Sequence, residues 1–181
     1  MGSSPETPII ITLRLDEHST AIFDELRRRH FPARINRVEA HLTLFHRLPD
    51  QQLPRVLADL RALAPPPFDL AVAKPLLLGN GVALQVHSGK LLALHHLLAD
   101  RWQQWLTPQD RQPFRPHITV QNKVDPAAAQ QLHTDLSQTQ YWPSPLATGW
   151  SVWRYLGGPW VSEAEVPFPT RQLPSDRAAV G

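Results

Sequence analysis

The sequence predicts an α+β fold in which two pseudo-symmetric lobes, mainly antiparallel sheet with helices, face one central cleft. Three observations lead there. Strand-patterned and helix-patterned segments alternate along the 181 residues. Two glycine-centred turns force antiparallel pairing, and one strand–turn–helix unit occurs twice.

Residues 9–15 are apolar and β-branched and read as a buried strand. Ser19 or Thr20 can cap a helix to about residue 29, with Ile22, Phe23 and Leu26 inward, and Pro32 ends it. The run Arg27-Arg28-Arg29 falls in its last turn, where positive charge suits the helix dipole, and reads as a solvated end. Residues 38–48 read as a strand. Pro49-Asp50 opens a helix through about residue 63, with Leu53, Val56, Leu57 and Leu60 on one stripe. Pro65-Pro66-Pro67 is a stiff connector. Residues 68–78 and 82–86 flank Gly79-Asn80-Gly81, a strong hairpin pattern. A helix starts at Ser88 or Gly89 and runs to about residue 106, followed by a polar, proline-bearing loop over 107–116. Residues 117–124 read as a strand, Asp125-Pro126 opens a helix to about residue 136, and 137–149 read as irregular. Residues 150–156 and 160–166 flank Gly157-Gly158-Pro159 as a second hairpin. One bilobal domain is expected over residues 1–168, with a loose tail over 169–181.

The repeat aligns residues 41–60 with residues 117–136 without gaps. His41, Leu42, Thr43 and Leu44 meet His117, Ile118, Thr119 and Val120. Arg47 meets Lys123, Leu48 meets Val124, and Val56, Asp59 and Leu60 meet Leu132, Asp135 and Leu136. Pro49 and Pro126 fall at adjacent positions where each helix begins. A bare His-x-Thr is expected about 0.5 times by chance; with aliphatic residues required at the second and fourth places, two copies fall below about one in a thousand. Two lobes related by a pseudo-twofold are the simplest architecture.

Composition removes several classes. There is no cysteine, so disulfides, thiolate metal sites and cysteine nucleophiles are excluded. No apolar run approaches the roughly 18 residues needed to cross a membrane, and the first residues lack the pattern of a secretory signal. A soluble, cytoplasmic, monomeric protein is the expectation. The net charge of +2 is weak evidence for polyanion binding, although 15 of the 18 basic residues are Arg, whose fork suits phosphate.

Side chains alternate along a strand, so His41 and Thr43 share one face and Leu42 and Leu44 the other; the same holds for His117 and Thr119 against Ile118 and Val120. A pseudo-twofold brings the two polar faces together across one groove. Two imidazoles there suit phosphodiester chemistry. Near neutral pH one can be neutral and take a proton while the other is protonated and delivers one. The threonine hydroxyls can donate to non-bridging phosphate oxygens. No metal or other cofactor is needed.

His41-Leu42-Thr43-Leu44 and Pro116-His117-Ile118-Thr119-Val120 resemble the paired His-x-Thr-x signatures of the 2H phosphoesterase superfamily, and most closely its bacterial 2′–5′ RNA ligase and RNA 2′,3′-cyclic phosphodiesterase branch. The resemblance spans about residues 9–168, including Gly81-Val82-Ala83-Leu84 and residues 153–160. It implies two lobes around a cleft, catalysis by His41 and His117, and phosphate binding by Thr43 and Thr119. It implies as partner an RNA with a 2′,3′-cyclic phosphate end or a small cyclic nucleotide, and a reaction that opens cyclic phosphates or makes and breaks 2′–5′ linkages. Many RNA-processing members carry an Arg a few places after the second motif; Asn122 and Lys123 stand there instead.

Further substrate-binding candidates are Arg115, two before His117; Lys123 and Arg47, on the histidine face by alternation; Phe45, on the face of His41, as a base-stacking ring; and Tyr155, near the second hairpin. Two rival functions remain open: a nucleotide-binding module without turnover, and a phosphodiesterase acting on a small non-RNA cyclic phosphate. A metal-dependent hydrolase fits poorly, because only one His per strand faces the groove and no acidic residue sits beside it at ligand spacing.

Overall fold

The computed structural model describes residues 7–170; of the expected tail, residues 171–181 lie outside the described residues. Strand β1 (Ile9–Leu15) leads into α1 (Glu17–His30), β2 (Leu42–Leu48), a turn of 3-10 helix (Asp50–Gln52) and α2 (Leu53–Ala62). Short β3 (Phe68–Asp69), β4 (Ala71–Leu77) and β5 (Val82–His87) follow. Then come α3 (Gly89–Trp102), β6 (His117–Gln121), α4 (Pro126–Ser137), β7 (Leu146–Tyr155) and β8 (Trp160–Pro167).

All pairing is antiparallel. One sheet runs β2-β1-β7-β3, with β8 on the free length of β7; the other runs β4-β5-β6. The unit β1-α1-β2-α2 thus matches β5-α3-β6-α4. In each sheet the histidine-bearing strand lies at an edge, next to the strand that opens its unit. The Cα atoms of the two edge strands, β2 and β6, approach within 8 Å.

Several expectations need correcting. The strand expected over 68–78 is divided between the sheets: Phe68 and Asp69 pair with β7, whereas β4 pairs with β5. Buried Leu70 lies between them, its N–H bonded to the Pro145 carbonyl, and the chain changes lobe there. Helix α1 is capped by Asp16 rather than Ser19 or Thr20; its carboxylate accepts from Ser19 N–H and from Leu146 N–H, joining the helix start to β7. Strand β7 begins inside the stretch expected to be irregular. The first hairpin is as expected, and Gly81 is required there because a Cβ would collide with the Gln121 carbonyl.

One continuous apolar core joins the lobes, with Phe23, Leu42, Leu44, Phe45, Leu84, Leu98, Trp102, Ile118 and Trp150 among its buried members. Each lobe also braces the other's motif strand. From α1, Arg27 donates to the Thr119 carbonyl of β6 at 2.7 Å. From α3, His95 Nε2 lies 3.2 Å from the Leu44 carbonyl of β2. No helix among the described residues is long and apolar enough to cross a membrane.

Candidate active site

The two motif strands share one burial pattern. Residues 41–45 and 117–121 each read half-buried, buried, half-buried, buried, buried. Leu42, Leu44, Ile118 and Val120 sink into the core, and His41, Thr43, His117 and Thr119 stay accessible. In both strands the alternation then fails. Register shifts opposite β1 and β5 turn Phe45 and Gln121 inward as well. Phe45 is therefore not available to stack on a base: it is 0% exposed, stacked on His95 at 4.6 Å and edge-on to Trp102 at 5.0 Å.

The two histidines are held in the same way. His41 Nδ1 lies 2.6 Å from the Glu39 carbonyl, and His117 Nδ1 lies 2.7 Å from the Arg115 carbonyl. A carbonyl only accepts, so each Nδ1 carries the proton and donates it. In the neutral ring that leaves Nε2 as a bare acceptor, and neither Nε2 has a partner among the described residues. The Thr43 and Thr119 hydroxyls are likewise unpartnered there. Four groups that can exchange or donate protons are thus left free on two strands that lie together.

Burial pushes the His41 pKa down to about 4. The bond to the Glu39 carbonyl opposes the shift, while the charges of Arg27, His117 and His46 add to it. His41 is consequently neutral at physiological pH.

Helix α1 supports both motifs from neighbouring turns. Asp24 accepts from Ala40 N–H, just before His41, and Arg27 donates to the Thr119 carbonyl. Arg27 is only 4% exposed, bonds Asn36 Oδ1 through Nε and Nη2, and stacks its guanidinium 4.2 Å from the Phe31 ring centre. The expected solvated arginine run thus holds for Arg28 and Arg29, which are exposed and paired with Glu25, but not for Arg27.

The remaining candidates separate. Arg115 contributes its backbone carbonyl to His117, and its exposed side chain stands just before β6. Lys123 does not share the histidine face by alternation, because β6 ends at Gln121 and Lys123 sits exposed in a turn with φ +57°. Arg47 is exposed beside a recess formed with Pro8, Asp50, Trp105 and Thr107, away from the groove that reaches His41. Tyr155 is half-buried and paired with Trp160 across the second hairpin. It is Trp160 that touches the site, its ring 5.0 Å from that of His41. Nothing in the sequence marks Trp160 for this contact, which only the tertiary arrangement creates. Arg27 was findable, because it continues the i, i+4 stripe of Ser19 and Phe23. Among the described residues, no three or more His, Cys, Asp or Glu side chains form a group that could hold a metal ion.

A bilobal α+β protein that sets two His-x-Thr strands side by side belongs, as a class, with the 2H phosphoesterases. The chain is a member of the 2′–5′ RNA ligase superfamily, whose family model matches residues 15–159. Solved structures with the same fold include E. coli LigT complexed with phosphate, at 18% identity, covering 93% of this chain and 100% of that one with a TM-score of 0.57. They also include TT0787 of Thermus thermophilus, at 19% identity, 91% and 100% coverage and a TM-score of 0.57. A phosphoesterase matches at 16% identity, 92% and 99% coverage and a TM-score of 0.58. No curated protein matches by sequence.

Proposed function

We propose that the chain is a metal-independent phosphodiesterase that opens the 2′,3′-cyclic phosphate of a nucleotide or an RNA end by two-histidine acid–base catalysis. The observation that carries this is the matched pair of Nδ1–carbonyl bonds, which fixes one tautomer in both rings and leaves both Nε2 atoms free. His41, kept neutral by its surroundings, is the base, and His117 is the acid.

His41 Nε2 removes a proton from water as the water oxygen bonds to phosphorus. The bond from phosphorus to one ribose oxygen breaks, and protonated His117 passes its Nε2 proton to that oxygen. Thr43 and Thr119 donate to the non-bridging oxygens and stabilise the charge that builds on them. The same pair, with a ribose hydroxyl in place of water as the attacking group, makes a phosphodiester from a cyclic phosphate. E. coli LigT has been crystallised with phosphate and with 3′-AMP. Given the shared fold, this supports a nucleotide phosphate in the corresponding cleft here.

The test is hydrolysis of 2′,3′-cyclic AMP and of an RNA with a 2′,3′-cyclic phosphate end by purified protein in excess chelator. Turnover of at least one substrate, undiminished by chelator, is expected. Binding without turnover at any pH would make the chain a nucleotide-binding module, and activity that needs added metal would contradict the mechanism.

A further inference from the structure

A groove of about 680 Å³ starts at His41 and runs away from it between α1, the chain before β2, and the polar face of the larger sheet. Its volume falls within the range of small-molecule sites, about 300–1,000 Å³. Three features describe what would fit it. The first is an aromatic wall: Trp160 lies against His41, and Trp153 follows with its ring 6.1 Å from Trp160. Trp153 is fixed by its indole N–H, which donates to Thr12 Oγ1 at 2.9 Å. The second is Ser151. It is only 7% exposed as a residue but lines the groove, and its hydroxyl has no hydrogen-bond partner among the described residues, so it is free to bond a polar edge there. The third is charge. Four carboxylates outnumber three arginines on the walls, and two of those arginines are paired, Arg14 with Glu165 and Arg28 with Glu25. Such walls do not attract a run of phosphates. They suit a flat, neutral group with a hydrogen-bonding edge.

Resting on the phosphoesterase reading above, we infer that this groove is a nucleobase subsite: the base attached to the reacting phosphate stacks on Trp160 and turns its polar edge toward Ser151. Stacking on an aromatic side chain changes binding of a base by about tenfold or more and tolerates any base, because each has a π-face. The subsite takes one nucleoside rather than a strand.

The experiment compares kcat/KM for adenosine 2′,3′-cyclic phosphate with that for methyl riboside 2′,3′-cyclic phosphate, which lacks the base. The ratio cancels changes in chemistry common to both, including any disturbance of His41 by its neighbour. Wild type should prefer the nucleotide by at least about tenfold; Trp160→Leu should bring the ratio near one, and Trp160→Phe should keep most of the preference. Ser151→Ala should lower the ratio several-fold. Binding of adenosine 2′,3′-cyclic phosphate, followed by tryptophan fluorescence, gives a readout without turnover. Quenching in wild type that is lost in Trp160→Leu, with no hydrolysis, would uphold the subsite and sink the catalytic reading. Hydrolysis with a wild-type ratio near one, or equal loss on both substrates in Trp160→Leu, would overturn the subsite and leave the catalytic reading intact. Neither hydrolysis nor binding would overturn both.

Discussion

Arg27 ties the first lobe to the second motif, and replacing it with Met isolates that link. Met fills much the same volume and donates nothing. The change removes three bonds to two acceptors: Nη1 to the Thr119 carbonyl at 2.7 Å, and Nε and Nη2 to Asn36 Oδ1 at 3.2 and 3.1 Å. Hydrogen bonds from a charged donor contribute about 1.5–3 kcal/mol each when the partner is left unpaired, so two abandoned acceptors cost about 3–6 kcal/mol. Against this, Met no longer desolvates a guanidinium, an effect visible in the lowered Arg27 pKa, with the Asp24 charge only partly opposing burial. A net loss of about 2–4 kcal/mol is expected. Urea unfolding followed by tryptophan fluorescence measures it, with Arg28→Met as the control. Arg28 is exposed and paired only with Glu25, so its loss should stay within about 0.5 kcal/mol. Arg27→Met should also move the acid limb of the rate profile to higher pH, because the Arg27 charge helps keep His41 unprotonated. Two equal variants, or an Arg27→Met protein within about 0.5 kcal/mol of wild type, would refute the bracing role.

Thr43→Ala and Thr119→Ala should each slow turnover by about 10–1,000-fold, with serine at either position retaining more activity; wild-type rates in both alanine variants would remove the phosphate-clamp role. Stability should fall on acidification between about pH 6.5 and 4. Burial pushes both His41 and His95 down to about 4, so the unfolded chain binds more protons across that window. His95, between Phe45 and Phe114, should contribute up to about 1.4 kcal/mol per pH unit; His41, partly open to the cleft, should contribute less. His95→Gln removes that titration and should flatten the dependence of unfolding free energy on pH; an unchanged slope in urea titrations from pH 4.5 to 7 would contradict the assignment.

Much of the fold was legible because local chemistry and global pairing agree. Gly79-Asn80-Gly81 and Gly157-Gly158-Pro159 form the hairpins that their residues favour, and Ser88 caps α3 through Leu91 N–H. The repeat was legible because both strands must send His and Thr one way and aliphatic side chains the other. What alternation could not reveal is the irregularity after the fourth residue of each motif. It buries Phe45, and β6 ends before Lys123 can share the face of His117. The division of residues 68–77 between sheets was hidden because Phe68 and Leu70 are apolar in either setting. Trp160 was hidden for a different reason: its contact with His41 joins strands from opposite ends of the chain.

The central claim is that His41 and His117 work as one acid–base unit, and the most direct test is the pH–rate profile of the wild type beside the two alanine variants and the double variant. With chelator present, 2′,3′-cyclic AMP turnover in wild type should follow a bell whose limbs belong to the pair. His41→Ala and His117→Ala should each lower turnover at least about 100-fold with affinity within about tenfold, and the double variant should be little worse than either. Full activity in either single variant, or losses that multiply in the double variant, would contradict the two-histidine mechanism.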